Sequence, residues 1–289
     1  MINKNTKILI IGLGLIGASY AKRLKEKGYF VGAITRSQET IDYALDNNFI
    51  DEGTIEVKKE FVSKFDLVVF GLYPNVLINW IKSYHDYFKK GAIITDVTGV
   101  KGAVVYKIEE LFKNDEVEFI ASHPMAGREV YGIKNANPNI FNDANFIITP
   151  TDKSTKEAVS TIKELATILE FKNISTLSVE EHDEMIAFLS QLTHCIAVSL
   201  MCSKSSKHLV DYTGDSFRDL TRIAKINENM WTELFLLNKK ELISQMDLFL
   251  KSFTELKLAI EEEDEEKMKE MMRTSTRRRS YFDKPNKDK

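Results

Sequence analysis

The residues that most constrain this chain stand near its start, where Lys7-Ile8-Leu9-Ile10-Ile11 runs directly into Gly12-Leu13-Gly14-Leu15-Ile16-Gly17. An uninterrupted aliphatic run, largely β-branched, predicts a strand buried on both faces. The glycines follow at the spacing that turns a strand into a helix, and apolar residues then recur at helical spacing through Leu24. In such a turn Gly12 permits the tight bend, Gly14 lets a ligand approach the backbone, and Gly17 lets the helix pack close to the strand. The N–H groups and dipole of the helix start suit a pyrophosphate. The unit therefore predicts a dinucleotide site built from Gly12, Leu13, Gly14, Leu15, Ile16 and Gly17.

Further strand-like runs follow at Phe30–Ile34, Leu67–Phe70, Ala92–Thr95 and Glu118–Ala121, separated by amphipathic segments. This alternation predicts a Rossmann-type α/β fold with a doubly wound parallel sheet. Asn145–Thr149 and Asn173–Leu177 bracket a helical segment from about Ser154 to Glu170 and are expected to complete the same sheet. From Val179 onward the pattern changes. Glycine falls to Gly214 alone, and apolar residues recur at helical spacing over Val179–Ser203, Ser216–Ile226, Asn229–Leu237 and Lys239–Glu262. The expected division is a nucleotide-binding domain over 1–177 and an all-helical domain over 178–289, reasonable for a chain of 289 residues. The helical half holds more apolar positions than a thin bundle can cover, so a homodimer through that half is expected. The acidic run Glu261–Glu266 is expected to be a solvated helix surface, and the tail from Thr274, with Arg277, Arg278 and Arg279, to fray.

Composition excludes several classes of function. A formal net charge of −3 gives no reason to expect a nucleic-acid partner. The N-terminal apolar stretch Ile8–Ile16 is too short to cross a bilayer and lacks the cleavage site of a secretory signal, so a cytoplasmic protein with no membrane partner is expected. Cys195 and Cys202 cannot build a disulfide framework or a zinc site and are expected to be packed thiols. Only about thirty residues of charged helix and tail follow the last long apolar helix, so no further regulatory domain is expected.

The choice of dinucleotide is decided after the second strand, where an acid normally binds the ribose 2′-hydroxyl. Here the run is Gly32-Ala33-Ile34-Thr35-Arg36-Ser37, with no acid. Arg36 can pair with a 2′-phosphate, and Thr35 and Ser37 can hydrogen-bond to it, which favours NADP over NAD. Gly71-Leu72-Tyr73-Pro74 follows another strand and is expected to loop over the cofactor. Thr95-Asp96-Val97-Thr98-Gly99-Val100-Lys101 points toward the same crevice, because ligands bind at the carboxyl ends of parallel strands. Lys101 suits either a surface or a functional role.

Of the five histidines, His123 lies in Ala121-Ser122-His123-Pro124-Met125-Ala126-Gly127, read as a small-residue loop just after a strand on the cofactor side. That position makes it the candidate acid–base group. His194 falls on the apolar helix of the second half, where it suits either a pocket or a core position.

Taken in order, the GLGLIG turn, the TDVTGVK loop, SHPMAGRE from Ser122 to Glu129, the QLTH segment ending at His194 and FRDLTRIA from Phe217 to Ala224 make the chain resemble the prephenate dehydrogenase family, which includes arogenate dehydrogenases. The resemblance spans nearly the whole chain. It implies a nucleotide-binding domain followed by a helical dimerisation domain, with the active site between them. It also implies oxidative decarboxylation of prephenate to 4-hydroxyphenylpyruvate, a step toward tyrosine, with NAD(P)+ as oxidant. By the same resemblance His123 accepts the ring-hydroxyl proton, Arg222 binds the ring carboxylate, His194 is a second pocket group, and Glu129 stands at the mouth of the site.

Two positions depart from the family pattern. Gly99 stands where many members carry a serine that supports the catalytic histidine, and the adjacent Thr98 is the candidate to supply that hydroxyl. Arg128 replaces a smaller residue, and a cation there would read the side-chain carboxylate of prephenate in preference to arogenate. Other readings compatible with the residues are an arogenate dehydrogenase, a dehydrogenase of 3-hydroxy acids using Lys204, Lys207 or Lys225, and a non-catalytic NADP-binding regulator.

Overall fold

The computed structural model describes residues 1–127, 130–204 and 207–283. The first half alternates strand and helix as β1 (Lys7–Ile11), α1 (Leu15–Glu26), β2 (Phe30–Ile34), α2 (Gln38–Asp46), β3 (Glu52–Thr54), α3 (Lys59–Val62), β4 (Leu67–Phe70), α4 (Pro74–Tyr84), β5 (Ile93–Asp96), α5 (Gly102–Leu111) and β6 (Glu118–Phe119). These strands form one parallel six-stranded sheet in the order β3-β2-β1-β4-β5-β6. Chain direction across the sheet reverses at β1 and β4, which opens a crevice at their carboxyl ends. Side chains of β1 alternate between two cores, Ile8 and Ile10 on one face and Leu9 and Ile11 on the other, all essentially buried. A strand covered on both faces has no polar side to show, hence its continuous apolar run.

The sequence reading missed β3. Its Glu-Gly-Thr carries no β signal, and the strand exists because Gly32, Ala33 and Ile34 of β2 offer it a pairing edge. The last strands also depart from expectation. The parallel sheet ends after β6, and β7 (Ala121–Pro124), β8 (Asn145–Thr149) and β9 (Asn173–Thr176) form a separate three-stranded sheet rather than extending the first. In it β7 runs antiparallel to β8, while β8 and β9 run parallel across α6 (Lys156–Ile168). His123 therefore stands on a strand opposite Ile147, not in a loop.

Ser178 opens the helical half with a capping box. Its hydroxyl accepts from Glu181 N at 3.1 Å, and the Glu181 carboxylate accepts from Ser178 N at 2.8 Å. α7 (Val179–Ile186) continues through a π-helical turn at Ala187–Leu192 into α8 (Thr193–Ser203). The span Val179–Ser203 has the length and apolar character to cross a bilayer, with mean hydropathy 1.7. Its buried positions nevertheless include the polar His182, Asp183 and Gln191, all hydrogen-bonded to protein, as in a helix packed inside a protein. Next come α9 (Asp215–Thr221), a 3-10 turn at Arg222–Ala224, α10 (Glu228–Leu237), α11 (Lys239–Glu261) and α12 (Glu265–Arg279).

The chain clusters into two compact units, Met1–Lys239 and Lys240–Lys289. In the second, the acidic run is not one helix surface. It breaks between α11 and α12, with Glu263 at φ 55° and the Asp264 side chain capping Lys267 N. The residues from Thr274 do not fray; α12 holds to Arg279 and a 3-10 turn follows at Ser280–Phe282. An early-turn ion pair such as Lys269–Glu265, at 2.9 Å and i,i+4, supports that helix locally.

Candidate active site

The glycine turn has the geometry its spacing predicts. Gly12 adopts φ +98°, and its N–H donates to Ile34 O at 2.8 Å. A Cβ on Gly17 would lie 2.0 Å from Gly12 O, so only glycine lets α1 approach this closely. A Cβ on Gly14 would meet nothing within 4 Å, so the backbone there faces open space at the start of α1. No acidic residue occupies the first turn of α1. This is the cradle an anionic pyrophosphate requires, and the residues present fit a dinucleotide.

The flanking loops gather at the same carboxyl edge. Gly71 N donates to Ile11 O at 2.8 Å, which seats the Leu72-Tyr73-Pro74 segment beside the turn, and Tyr73 is exposed. After β2, Thr35 is half-buried and Arg36 and Ser37 are exposed. The Ser37 hydroxyl caps α2 by accepting from Thr40 N at 3.3 Å, leaving its hydrogen to donate elsewhere.

Beneath this edge lies a buried polar cluster. Asp96 at the end of β5 and Lys101 are both 0% exposed and pair at 2.7 Å. Lys101 Nζ also donates to Ser122 O at 2.6 Å and to the Thr98 hydroxyl at 3.2 Å, so all three of its hydrogens are used. The other Asp96 oxygen accepts from Ser122 N at 3.1 Å. Burial pushes the Lys101 ammonium below its ordinary range, and Asp96 opposes the fall. Lys101 is thus not a surface residue but the cation of an interior ion pair. Thr98 does not replace the missing serine either. Its hydroxyl is turned inward to the Asp96 carboxylate and lies 3.0 Å from Val100 O, whereas the His123 ring pairs with His182.

Strand alternation sends Ser122 to the Asp96 cluster and His123 to the opposite side. There His123 Nδ1 lies 2.9 Å from His182 Nε2, and His182 Nδ1 lies 2.8 Å from Asp183 Oδ1. Asp183 also accepts from Lys101 N at 2.8 Å and Gly102 N at 2.7 Å, capping α5, which has no side-chain cap of its own. Burial pushes His123 well below the ordinary histidine range, and His182 and Lys101 act in the same direction. On the far side of the ring, a Cβ on Gly99 would lie 3.7 Å from His123 Nε2 and 3.8 Å from Leu234 of α10.

α10 ties His194 to this place. Trp231, one turn before Leu234, stacks on the His194 ring with centroids 3.7 Å apart, while His194 Nδ1 donates to Ser190 O at 2.9 Å. The same helix reaches α4, where Glu233 accepts from Asn75 N at 2.7 Å. Arg222 is exposed on the 3-10 turn that packs against α8, the helix carrying His194. Arg128 and Glu129 lie outside the described residues. Cys195 is half-buried and Cys202 exposed, so the expectation of two packed thiols fails at Cys202, where α8 turns outward and buries only Ala197.

The sequence reading passed over His182, Asp183 and the Asp96–Lys101 pair. One signal was present: Val179, His182, Asp183 and Ile186 share the buried stripe of α7, so two ionisable residues occupy slots where apolar ones are expected.

Comparison with known proteins agrees along most of the chain. A profile described as "Prephenate dehydrogenase, nucleotide-binding domain" matches residues 20–173, and one described as "Prephenate dehydrogenase, dimerization domain" matches 178–274. The prephenate dehydrogenase of Lactococcus lactis is 29% identical over 267 residues, covering 89% of this chain and 72% of that protein. The cyclohexadienyl dehydrogenase of Zymomonas mobilis is 29% identical over 280 residues, 94% of each. Among solved structures, prephenate dehydrogenase from A. aeolicus in complex with hydroxyphenyl propionate and NAD+ superimposes with a TM-score of 0.87 at 30% identity, covering 96% of this chain and 98% of that one.

Proposed function

The chain belongs to the prephenate dehydrogenase family, and from that premise we propose that it oxidatively decarboxylates prephenate to 4-hydroxyphenylpyruvate with a nicotinamide dinucleotide. The observation that carries the reading is His123, held through Nδ1 with Nε2 facing the gap at Gly99. A basic nitrogen there takes the proton of the substrate's ring hydroxyl, which raises electron density on the ring carbon that must lose hydrogen. When bound, the oxidised nicotinamide supplies the acceptor for that hydrogen and its electron pair. Loss of carbon dioxide then makes the ring aromatic, and His123 returns the borrowed proton to the phenolate, so the step consumes no net proton. His194, stacked by Trp231, and Arg222 are assigned to the substrate, the guanidinium matching the ring carboxylate.

Gly12 to Gly17, with Leu72, Tyr73 and Pro74, would hold the cofactor. NADP is assigned as the preferred form, supported by the exposed Arg36 and the hydroxyls of Thr35 and Ser37 where an acid would select NAD. The functional division is assigned near Ser178, in accord with the two profile matches. A cytoplasmic homodimer is assigned as the working form. Its support is the dimerization-domain match and the exposed Leu248, Leu250, Phe253, Leu258 and Ile260 of α11.

The test is turnover of purified protein with prephenate or arogenate and each cofactor, followed at the absorbance of the reduced nicotinamide. Prephenate with NADP is expected to give the highest kcat/KM, and no turnover of prephenate with either cofactor would overturn the reading. Arg36→Ala is expected to raise KM for NADP roughly 10- to 100-fold, the worth of a hydrogen bond to a charged group, and to leave NAD unchanged. Equal effects on both cofactors would remove Arg36 from the specificity.

A further inference from the structure

The line of groups behind His123 is not required to bind anything, yet it is buried and fully connected. Taking as given that His123 accepts the ring-hydroxyl proton, we infer that His182 and Asp183 are positioning residues that keep the hydrogen of neutral His123 on Nδ1, so that Nε2 presents its lone pair to the substrate.

Asp183 is the fixed end of the line. Both oxygens of Asp183 accept N–H donors: Lys101 N and His182 Nδ1 at Oδ1, and Gly102 N at Oδ2. A carboxylate offers only acceptors, so His182 must carry a hydrogen on Nδ1. Burial pushes His182 below its ordinary range, although Asp183 opposes this, and a neutral ring leaves Nε2 bare. That bare nitrogen sits 2.9 Å from His123 Nδ1, which must therefore be the donor. The other His123 tautomer would set two lone pairs against each other inside the protein. When Nε2 takes a proton, the resulting cation keeps its Nδ1–H bond to His182, so the proton is held on His123 for return and none passes down the line.

The fixed end is itself anchored. Asn238 Nδ2 donates to Asp183 O and to Gln191 Oε1, each at 2.9 Å, and Gln191 Nε2 donates to Leu234 O at 3.0 Å. Gln191 lies in the π-helical turn, an irregularity that persists where a local arrangement needs it. The groups that act on His123 are thus His182 from α7, itself held by Asp183, the Lys101 charge, and the gap at Gly99. A histidine oriented from behind needs no hydroxyl in front, which accounts for glycine at position 99.

Nitrogen NMR of the full-length protein labelled in histidine tests this without substrate. His123, assigned by its loss in His123→Asn, is expected to show a protonated Nδ1 and an unprotonated Nε2 near neutral pH. The reverse pattern would overturn the proposal whether or not prephenate is the substrate. Kinetics give a second reading. His182→Leu is expected to lower kcat roughly 10- to 100-fold, as when an outer hydrogen-bond partner is lost, with KM for prephenate little changed. His182→Gln, whose side-chain oxygen can accept from His123, is expected to restore most of that loss. Equal losses in both variants, or unchanged kcat in His182→Leu, would show that His182 only fills space.

Discussion

Replacing His123 with asparagine lowers kcat for prephenate by roughly a hundred- to ten-thousandfold, the contribution of a positioned acid–base group, and leaves cofactor affinity nearly unchanged. Asparagine is the informative choice because its amide nitrogen can still donate toward His182, as His123 Nδ1 does over 2.9 Å, so β7 keeps its place. What it lacks is the second nitrogen, the one facing Gly99. The glycine turn lies elsewhere along the sheet edge and does not depend on that nitrogen. Steady-state kinetics with a fluorescence titration of the cofactor separate the two effects. An unchanged kcat would remove His123 from the chemistry, whereas parallel losses of kcat and cofactor binding would point to a collapsed site.

The second large effect is on stability. Lys101→Met leaves Asp96 charged, wholly buried and without its cation, and breaking a buried pair in this way costs about 3–5 kcal/mol. At about 2–4 °C per kcal/mol, Tm falls by roughly 6–20 °C in a thermal melt. The effect extends beyond the pair because Lys101 also donates to Ser122 O, on the residue before His123. The double variant Lys101→Met, Asp96→Leu is expected to melt higher than the two single losses would sum to, since neither charge is then stranded. A Tm within a degree of the parent for Lys101→Met would show that the pair contributes nothing to the fold.

These two residues mark what the sequence could and could not disclose. The glycine turn was legible because its signal is local: a strand, three glycines and a helix start stand within a few residues, and Gly17 answers to Gly12 and Ile10 inside the same unit. The six-stranded sheet followed from repeated alternation, except β3, which exists only by pairing with β2. The break after β6 was illegible for a similar reason, since β7 leaves the parallel sheet to meet Phe146–Thr149, more than twenty residues away in sequence. His123 was found from its motif, but its orientation depends on His182 and Asp183, and Asp183 is fixed by the amides of Lys101 and Gly102 some eighty residues earlier. No periodicity reports such a contact. Thr98 was misjudged because adjacency in sequence says nothing of which way a loop hydroxyl turns, and here the buried Asp96 carboxylate claims it.

If a neutral His123 takes the ring-hydroxyl proton, the pH dependence of kcat/KM for prephenate reports its titration. A base works only when unprotonated, and burial, with His182 and Lys101, holds the His123 pKa well below 6.5. Activity should therefore be level from pH 6.5 through neutrality and fall only on the acid side of 6.5, as the pH drops through the folded pKa. Activity still climbing between pH 6.5 and 8 would rule out His123 as the base, because the essential group would then have an ordinary or raised pKa, unlike the half-buried His123 beside His182 and Lys101.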